Sequence, residues 1–151
     1  MKKKFLLLLI FFFVLQNCGY TPIYSKFKNQ QFKFEIVSIE GNEEMKNLTS
    51  IQIKNFSNQL SNDLLSLKIK TDYQKIILSK DKSGKATNFL LRKKIEFETL
   101  NLENNKKLSF SEDTKTTNMD DKFEMKNYEN SIKSNFISSS IKNFILKISL
   151  D

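Results

Sequence analysis

One thiol, seventeen carboxylates and no imidazole are the side chains from which this 151-residue chain could build chemistry. Without histidine, a histidine-based nucleophilic triad and a histidine-ligated metal centre are both excluded. Two carboxylates flanking one bond could still cleave a glycoside. The adjacent pairs are Glu43 with Glu44, Glu96 with Glu98, and Asp120 with Asp121. Glu96 and Glu98 stand two apart in an alternating segment, which puts both on one side of a strand. The alternation favours a wet sheet face over a cleft as the reason for them. The three glycines, Gly19, Gly41 and Gly84, are too scattered to form a phosphate-cradling loop. No catalytic residue, metal ligand or cofactor is assigned, and the chain is expected not to be an enzyme.

The thiol is the informative group. Lys2, Lys3 and Lys4 open the chain, an unbroken apolar run follows from Phe5 to Leu15, and Gln16 and Asn17 lead into Cys18. A cationic start, a short apolar core and a nearby cleavage point describe a secretory signal. A membrane span needs about 20 apolar residues, and runs of about 10–14 serve more often as signal cores. An exported protein meets an oxidising compartment in which cysteines usually pair, so a lone cysteine there is consumed by some other bond or left reactive. Leu15-Gln16-Asn17-Cys18 resembles a bacterial lipoprotein box, although Gln16 and Asn17 are larger than the small residues usual between the Leu and the Cys. The resemblance implies a diacylglyceryl group on the Cys18 sulfur, removal of residues 1–17, and acylation of the new amino terminus. Gly19 replaces the Asp that commonly retains such proteins at the inner membrane, which implies export to the outer membrane.

Removing residues 1–17 takes away three lysines and leaves 22 basic against 17 acidic side chains, lowering the net charge from +8 to +5. The remaining charge is mildly basic and spread out. Nucleic-acid readers cluster their Lys and Arg, and export makes nucleic acid an unsuitable partner. An anionic lipid surface or a glycolipid phosphate fits the compartment better.

The elements that would carry these groups follow from periodicity. Residues 18–31 are polar and aperiodic and read as a tether. Phe32, Phe34 and Ile36 alternate with Lys33 and Glu35, which predicts a strand over 32–39, ended by Glu40-Gly41-Asn42. Leu48, Ile51, Phe56, Leu60, Leu64 and Leu67 recur at steps of three to five, which predicts a helix over 47–66 capped by Asn47 or Thr49. Strands are predicted over 73–80, 88–101 and 107–118, with turns at Asp81–Lys85 and Glu103–Lys106 and a strand end or bulge near Thr99. Phe89, Leu91, Ile95 and Phe97 share one face of the longest strand. Residues 119–129 are charged and mixed and read as a loop. From Asn130 onward Ile132, Phe136, Ile137, Ile141, Phe144, Ile145 and Ile148 predict a final helix. The expected fold is α+β, in the order β-α-β-β-β-α, with two helices on one face of a small, mainly antiparallel four-stranded sheet. Residues 32–151 would form one domain.

Cys18-Gly19-Tyr20-Thr21-Pro22-Ile23-Tyr24 followed by this element order resembles the LPS-assembly lipoprotein LptE family. So do Lys85–Leu91 and the stretch Ile95-Glu96-Phe97-Glu98-Thr99-Leu100-Asn101. The polar segment Asp120–Glu129 is similar to the loop before that family's last helix. A departure is the near absence of arginine, Arg92 being the only one. The resemblance implies a plug in the lumen of the outer-membrane barrel LptD that helps the barrel assemble and assists delivery of lipopolysaccharide to the outer leaflet. Lys82, Lys85, Arg92, Lys93 and Lys94 would then be candidates to meet glycolipid phosphates, against the plainer reading that they are solvated surface charge. The competing reading is an unrelated periplasmic lipoprotein that binds a soluble or cell-wall ligand, for which an apolar pocket lined by phenylalanines would be the sign.

Overall fold

A computed structural model describes residues 32–100 and 105–150. The signal segment 1–17, the tether 18–31 with Cys18, and part of the 103–106 turn lie outside the described residues. The elements are β1 (Phe32–Gly41), α1 (Glu43–Phe56), β2 (Asp63–Lys80), β3 (Ala86–Thr99), β4 (Lys107–Thr117) and α2 (Lys122–Ser149). They form the expected α+β fold. The four strands lie side by side in the order β1-β2-β3-β4. β1 runs parallel to β2, and the other pairings are antiparallel. A parallel neighbour requires a crossover, and α1 supplies it.

Alternation determines which side of the sheet is greasy. Leu65, Leu67 and Ile69 of β2 and Phe89, Leu91, Ile95 and Phe97 of β3 all turn inward and are buried. The helices cover that face. Met45 and Ile53 of α1 and Phe136, Ile137, Ile141, Phe144 and Ile148 of α2 complete the main core. Phe97 sits at its centre, stacked on Phe144 at 4.7 Å between ring centroids, with the Phe110 edge against it at 6.1 Å. Phe89, Leu91 and Met125 form a second, smaller core toward the far end of the sheet.

Three boundaries differ from the sequence expectation. The first helix spans Glu43–Phe56, not 47–66, and its cap is Asn42, whose side-chain oxygen accepts the Met45 N–H at 3.1 Å. The helical spacing of Leu60, Leu64 and Leu67 is accidental: Leu60 is 93% exposed in a connecting loop, and the other two belong to β2. Local bonds hold that loop open, Asn58 Oδ1 accepting Leu60 N–H and Ser61 Oγ accepting Asp63 N–H. Side-chain bonds of this kind compete with continued helix. Correspondingly, β2 begins ten residues before the predicted strand, at Asp63. Finally, residues 122–129 are helix, not loop. Asp121 caps them, its Oδ1 accepting N–H bonds from Phe123 and Glu124, and Met125 is buried.

The turn at Asp81–Lys85 and the strand end at Thr99 fall where expected. Asp81 Oδ1 accepts the backbone N–H groups of Ser83 and Lys85, and Gly84 takes the positive φ that closes the turn.

Candidate functional site

The five basic residues singled out by sequence separate into three places. Lys82 and Lys85 sit exposed in the β2–β3 turn, which we call the distal pole. Lys85 pairs with Asp120 at 2.9 Å. The bond from Asp120 holds the lysine above its usual range, and the lysine in turn holds that carboxyl below its own. Arg92 and Lys94 lie on the sheet face away from the helices, both exposed. Arg92 grips Asp113 directly across the β3–β4 pair, through Nε at 3.1 Å and Nη2 at 3.0 Å.

Lys93 is different. It shares the parity of Leu91 and Ile95 and so points under the helices, where its side chain is fully buried. There Nζ donates to Glu112 at 2.5 Å and Thr114 at 2.7 Å and stands 5.7 Å from the Phe136 ring centre. An ammonium so enclosed needs these partners to offset lost hydration, and it is turned away from any ligand on the surface. The same parity in the sequence would have separated it from Arg92 and Lys94.

The open sheet face is a chequerboard of charge. Glu98 stands between Lys68 and Lys107, Lys70 between Glu40 and Glu96, Asp72 opposite Lys94, and Arg92 opposite Asp113. Opposite charges directly across strands stabilise the pairing and specify register. Glu96 is held below the ordinary carboxylate range, first by the hydrogen bond from Lys107, which lies 2.9 Å away. An acid kept ionised in this way is poorly suited to donate a proton. A shallow hollow on this face lies between Glu40, Lys70, Lys94 and Glu96. A second lies at the distal pole between Leu78, Asn88, Lys115, Met119 and Tyr128. No phenylalanine lines either one. Among the described residues no group of His, Cys, Asp and Glu could hold a metal ion, and no helix is long and apolar enough to cross a membrane.

A network that sequence reasoning missed ties the helices to the sheet. Lys133 of α2 is buried; its Nζ contacts Glu44 of α1 and lies 4.0 Å over the Tyr73 ring of β2. Tyr73 Oη donates to Glu129 at 2.7 Å, and Lys75 Nζ donates to the same carboxylate at 2.6 Å. Burial, then the bond to Glu129, pushes the Tyr73 hydroxyl well above its usual range. Burial alone would raise the Glu129 carboxyl, but the bonds from Lys75 and Tyr73 outweigh it and hold that group below its usual value. Only its local spacings were present in the sequence: Glu129 and Lys133 are i, i+4 on a helix, and Tyr73 and Lys75 share one strand face, but the pairings between elements left no signal.

The Lys133–Glu44 pair is lopsided, with side-chain exposures of 4% and 39%. Lys133→Met removes the charge, fills the space and lets Glu44 turn to water, so a loss of about 1 kcal/mol is expected. Glu44→Gln strands a buried ammonium and is expected to cost about 2 kcal/mol. Glu43→Gln, an exposed neighbour in the same first turn, measures the helix-dipole share together with the surface pair Glu43 makes with Lys46 at 2.6 Å. Urea midpoints for the three variants check the order. Lys133→Met emerging as the worse of the pair would refute the assignment of the buried charge.

No family model matches the chain, and no curated protein matches its sequence. Solved structures do resemble it in fold. One is rare lipoprotein B from Shewanella oneidensis, with a TM-score of 0.50 and 14% identity over 76% of this chain and 99% of that one. Another is a candidate lipoprotein from Caulobacter crescentus, with a TM-score of 0.53 and 13% identity over 83% of this chain and 93% of that one. The class defined by the architecture is therefore a two-helix, four-stranded α+β fold shared with bacterial lipoproteins. At such identities the likeness is one of fold.

Proposed function

We propose that this chain is an outer-membrane lipoprotein, anchored through Cys18 and facing the periplasm, that plugs and helps assemble an LptD-type barrel and assists lipopolysaccharide delivery to the outer leaflet. The observation that carries the reading is a conjunction. A lone cysteine follows a signal-like apolar run, and the domain behind it has a fold in common with lipoproteins. Neither half alone would reach this far.

The physics of the domain supports a plug. Its open sheet face is polar and internally charge-paired, which suits the polar interior of a wide barrel. Its long strands end in exposed lysines at the distal pole. Lys82, Lys85, Arg92 and Lys94 stand where a glycolipid phosphate could reach them, whereas Lys93 does not. Neither shallow hollow offers the phenylalanine-lined pocket that a small apolar ligand would need.

Affinity purification of the tagged, membrane-extracted protein tests the reading. A large β-barrel protein should co-purify in near-stoichiometric amount, with lipopolysaccharide in the same fraction. Repeated recovery of the tagged chain without a barrel would overturn the proposal.

A further inference from the structure

The end of the domain from which the tether leaves is chemically unlike the rest of the surface. Asn58 N–H donates to the Phe32 carbonyl at 3.0 Å, and Phe34 N–H donates to Ser57 Oγ at 2.9 Å. The α1–β2 loop, with Leu60, is thereby held beside the first residues of β1. α2 runs back along the sheet to the same end. Phe144 stacks on Phe97, Lys147 Nζ lies 5.4 Å from the Phe110 ring, and Ile148 is still in the core. Leu150 follows directly on this last turn of α2, past Ile148, on the β3–β4 side of the sheet.

Leu60 and Leu150 are 93% and 81% exposed, the two most exposed large apolar side chains among the described residues. Exposed lysines flank them: Lys33 on β1, Lys54 in the last turn of α1 and Lys147 in the last turn of α2, with Asp63 and Glu35 exposed acids at the same end. Protruding leucines among lysines are what the boundary between anionic headgroups and acyl chains accepts. The chain outside the described residues points the same way. Only residues 19–31 separate Cys18 from Phe32, a reach of at most about 50 Å when fully extended.

We propose that this pole is a membrane-contact surface, in which Leu60 and Leu150 enter the headgroup region of an anionic leaflet while Lys33, Lys54 and Lys147 meet its phosphates. The proposal rests on lipid attachment at Cys18. It orients the free lipoprotein on the leaflet, before it seats in a barrel: the long β2–β3 hairpin points away from the lipid.

Phe123 makes the test sharp. It is also strongly exposed, at 71%, but sits at the start of α2 on the distal pole. Exposure alone would make all three residues seek lipid; the proposal says that only two do. Single-cysteine variants Leu60→Cys, Leu150→Cys and Phe123→Cys of the full exported protein are labelled with an environment-sensitive dye. They are then reconstituted in vesicles of phosphatidylethanolamine and phosphatidylglycerol. Dye at positions 60 and 150 is expected to emit blue-shifted and to be quenched by acyl chains carrying a quencher, while dye at 123 stays water-like. One dye per chain with water-like emission at 60 and 150, or with equal quenching at 123, overturns the proposal and leaves the anchor standing. Two dyes per chain by intact mass would show a free Cys18 thiol, and both readings fall.

Discussion

Cys18→Ser, with residues 1–17 replaced by an ordinary cleavable secretion signal so that the apolar run Phe5–Leu15 is not retained as an anchor, is expected to move the protein from the membrane pellet to the soluble fraction almost completely. Its intact mass should fall by the acyl chains as well as by the substitution. The magnitude follows from the chains: each buried methylene contributes about 0.8 kcal/mol, and two chains already suffice for stable anchoring. The three implied at a processed lipobox cysteine would make attachment permanent on the scale of a cell cycle. No set of surface contacts on a domain of this size replaces that. Leu60, Leu150 and their lysines should leave a weak residual affinity for anionic vesicles that fades as salt rises. Barrel binding should weaken without vanishing, because the substitution removes local concentration and not the folded surface. Equal intact masses for the two proteins, apart from the substitution itself, would show that no fatty chain is attached. In that event the signal-like segment would have to be read as an ordinary amino terminus.

Most of the architecture was legible because one physical rule governs it. A sheet covered on one face reads as alternation; β3 and β4 alternate cleanly, and β1 does so from Phe32 to Ile36, where a register shift at Val37 passes the inward parity to Ile39. A helix covering that face reads as a stripe, and α2 from Ile132 to Ile148 shows one. The failures came where two periods overlapped. The apolar residues from Phe56 to Leu67 do not belong to one element: Phe56 ends a helix, Leu60 is in a loop, and Leu65, Leu67 and Ile69 begin a strand. A stripe at steps of three and four arose by coincidence, and the competing alternation in Leu65–Ile69 was the better guide. In residues 122–129 the charged composition concealed a helix start whose signal was Asp121 followed by Phe123 and Met125. Charge identity was equally misleading at Lys93, where parity decides orientation and the ammonium is buried against Glu112. Long-range pairs such as Lys133–Glu44, 89 residues apart, leave no local pattern at all. They become visible only when the helices are laid on the sheet.

The way α1 is laid on the sheet depends on one junction, which makes Gly41 the most sensitive backbone position among the described residues. It ends β1 and is joined to α1 by Asn42 alone. Its φ is +113°, a region that side chains with a Cβ rarely enter. A Cβ added there would lie 1.7 Å from the Thr71 carbonyl oxygen, a backbone atom of the neighbouring strand. That carbonyl also accepts the Asn42 N–H, and Thr71 Oγ1 donates to the Glu40 carbonyl. Gly41→Ala therefore has to push the end of β1 off β2, and with it the capping residue of α1. Dihedral strain alone accounts for about 1–3 kcal/mol, and the displaced strand end adds to it. We expect a total loss of about 3–4 kcal/mol, which for a domain of this size lowers Tm by about 10 °C or more. Gly84→Ala supplies the comparison. Its φ of +84° is also positive, but a Cβ there meets nothing within 4 Å, so only the strain of about 1–2 kcal/mol should appear. Thermal unfolding of the two variants separates close approach from conformational strain. If both lose the same stability, the β1–β2 contact at Thr71 is not what requires glycine at position 41.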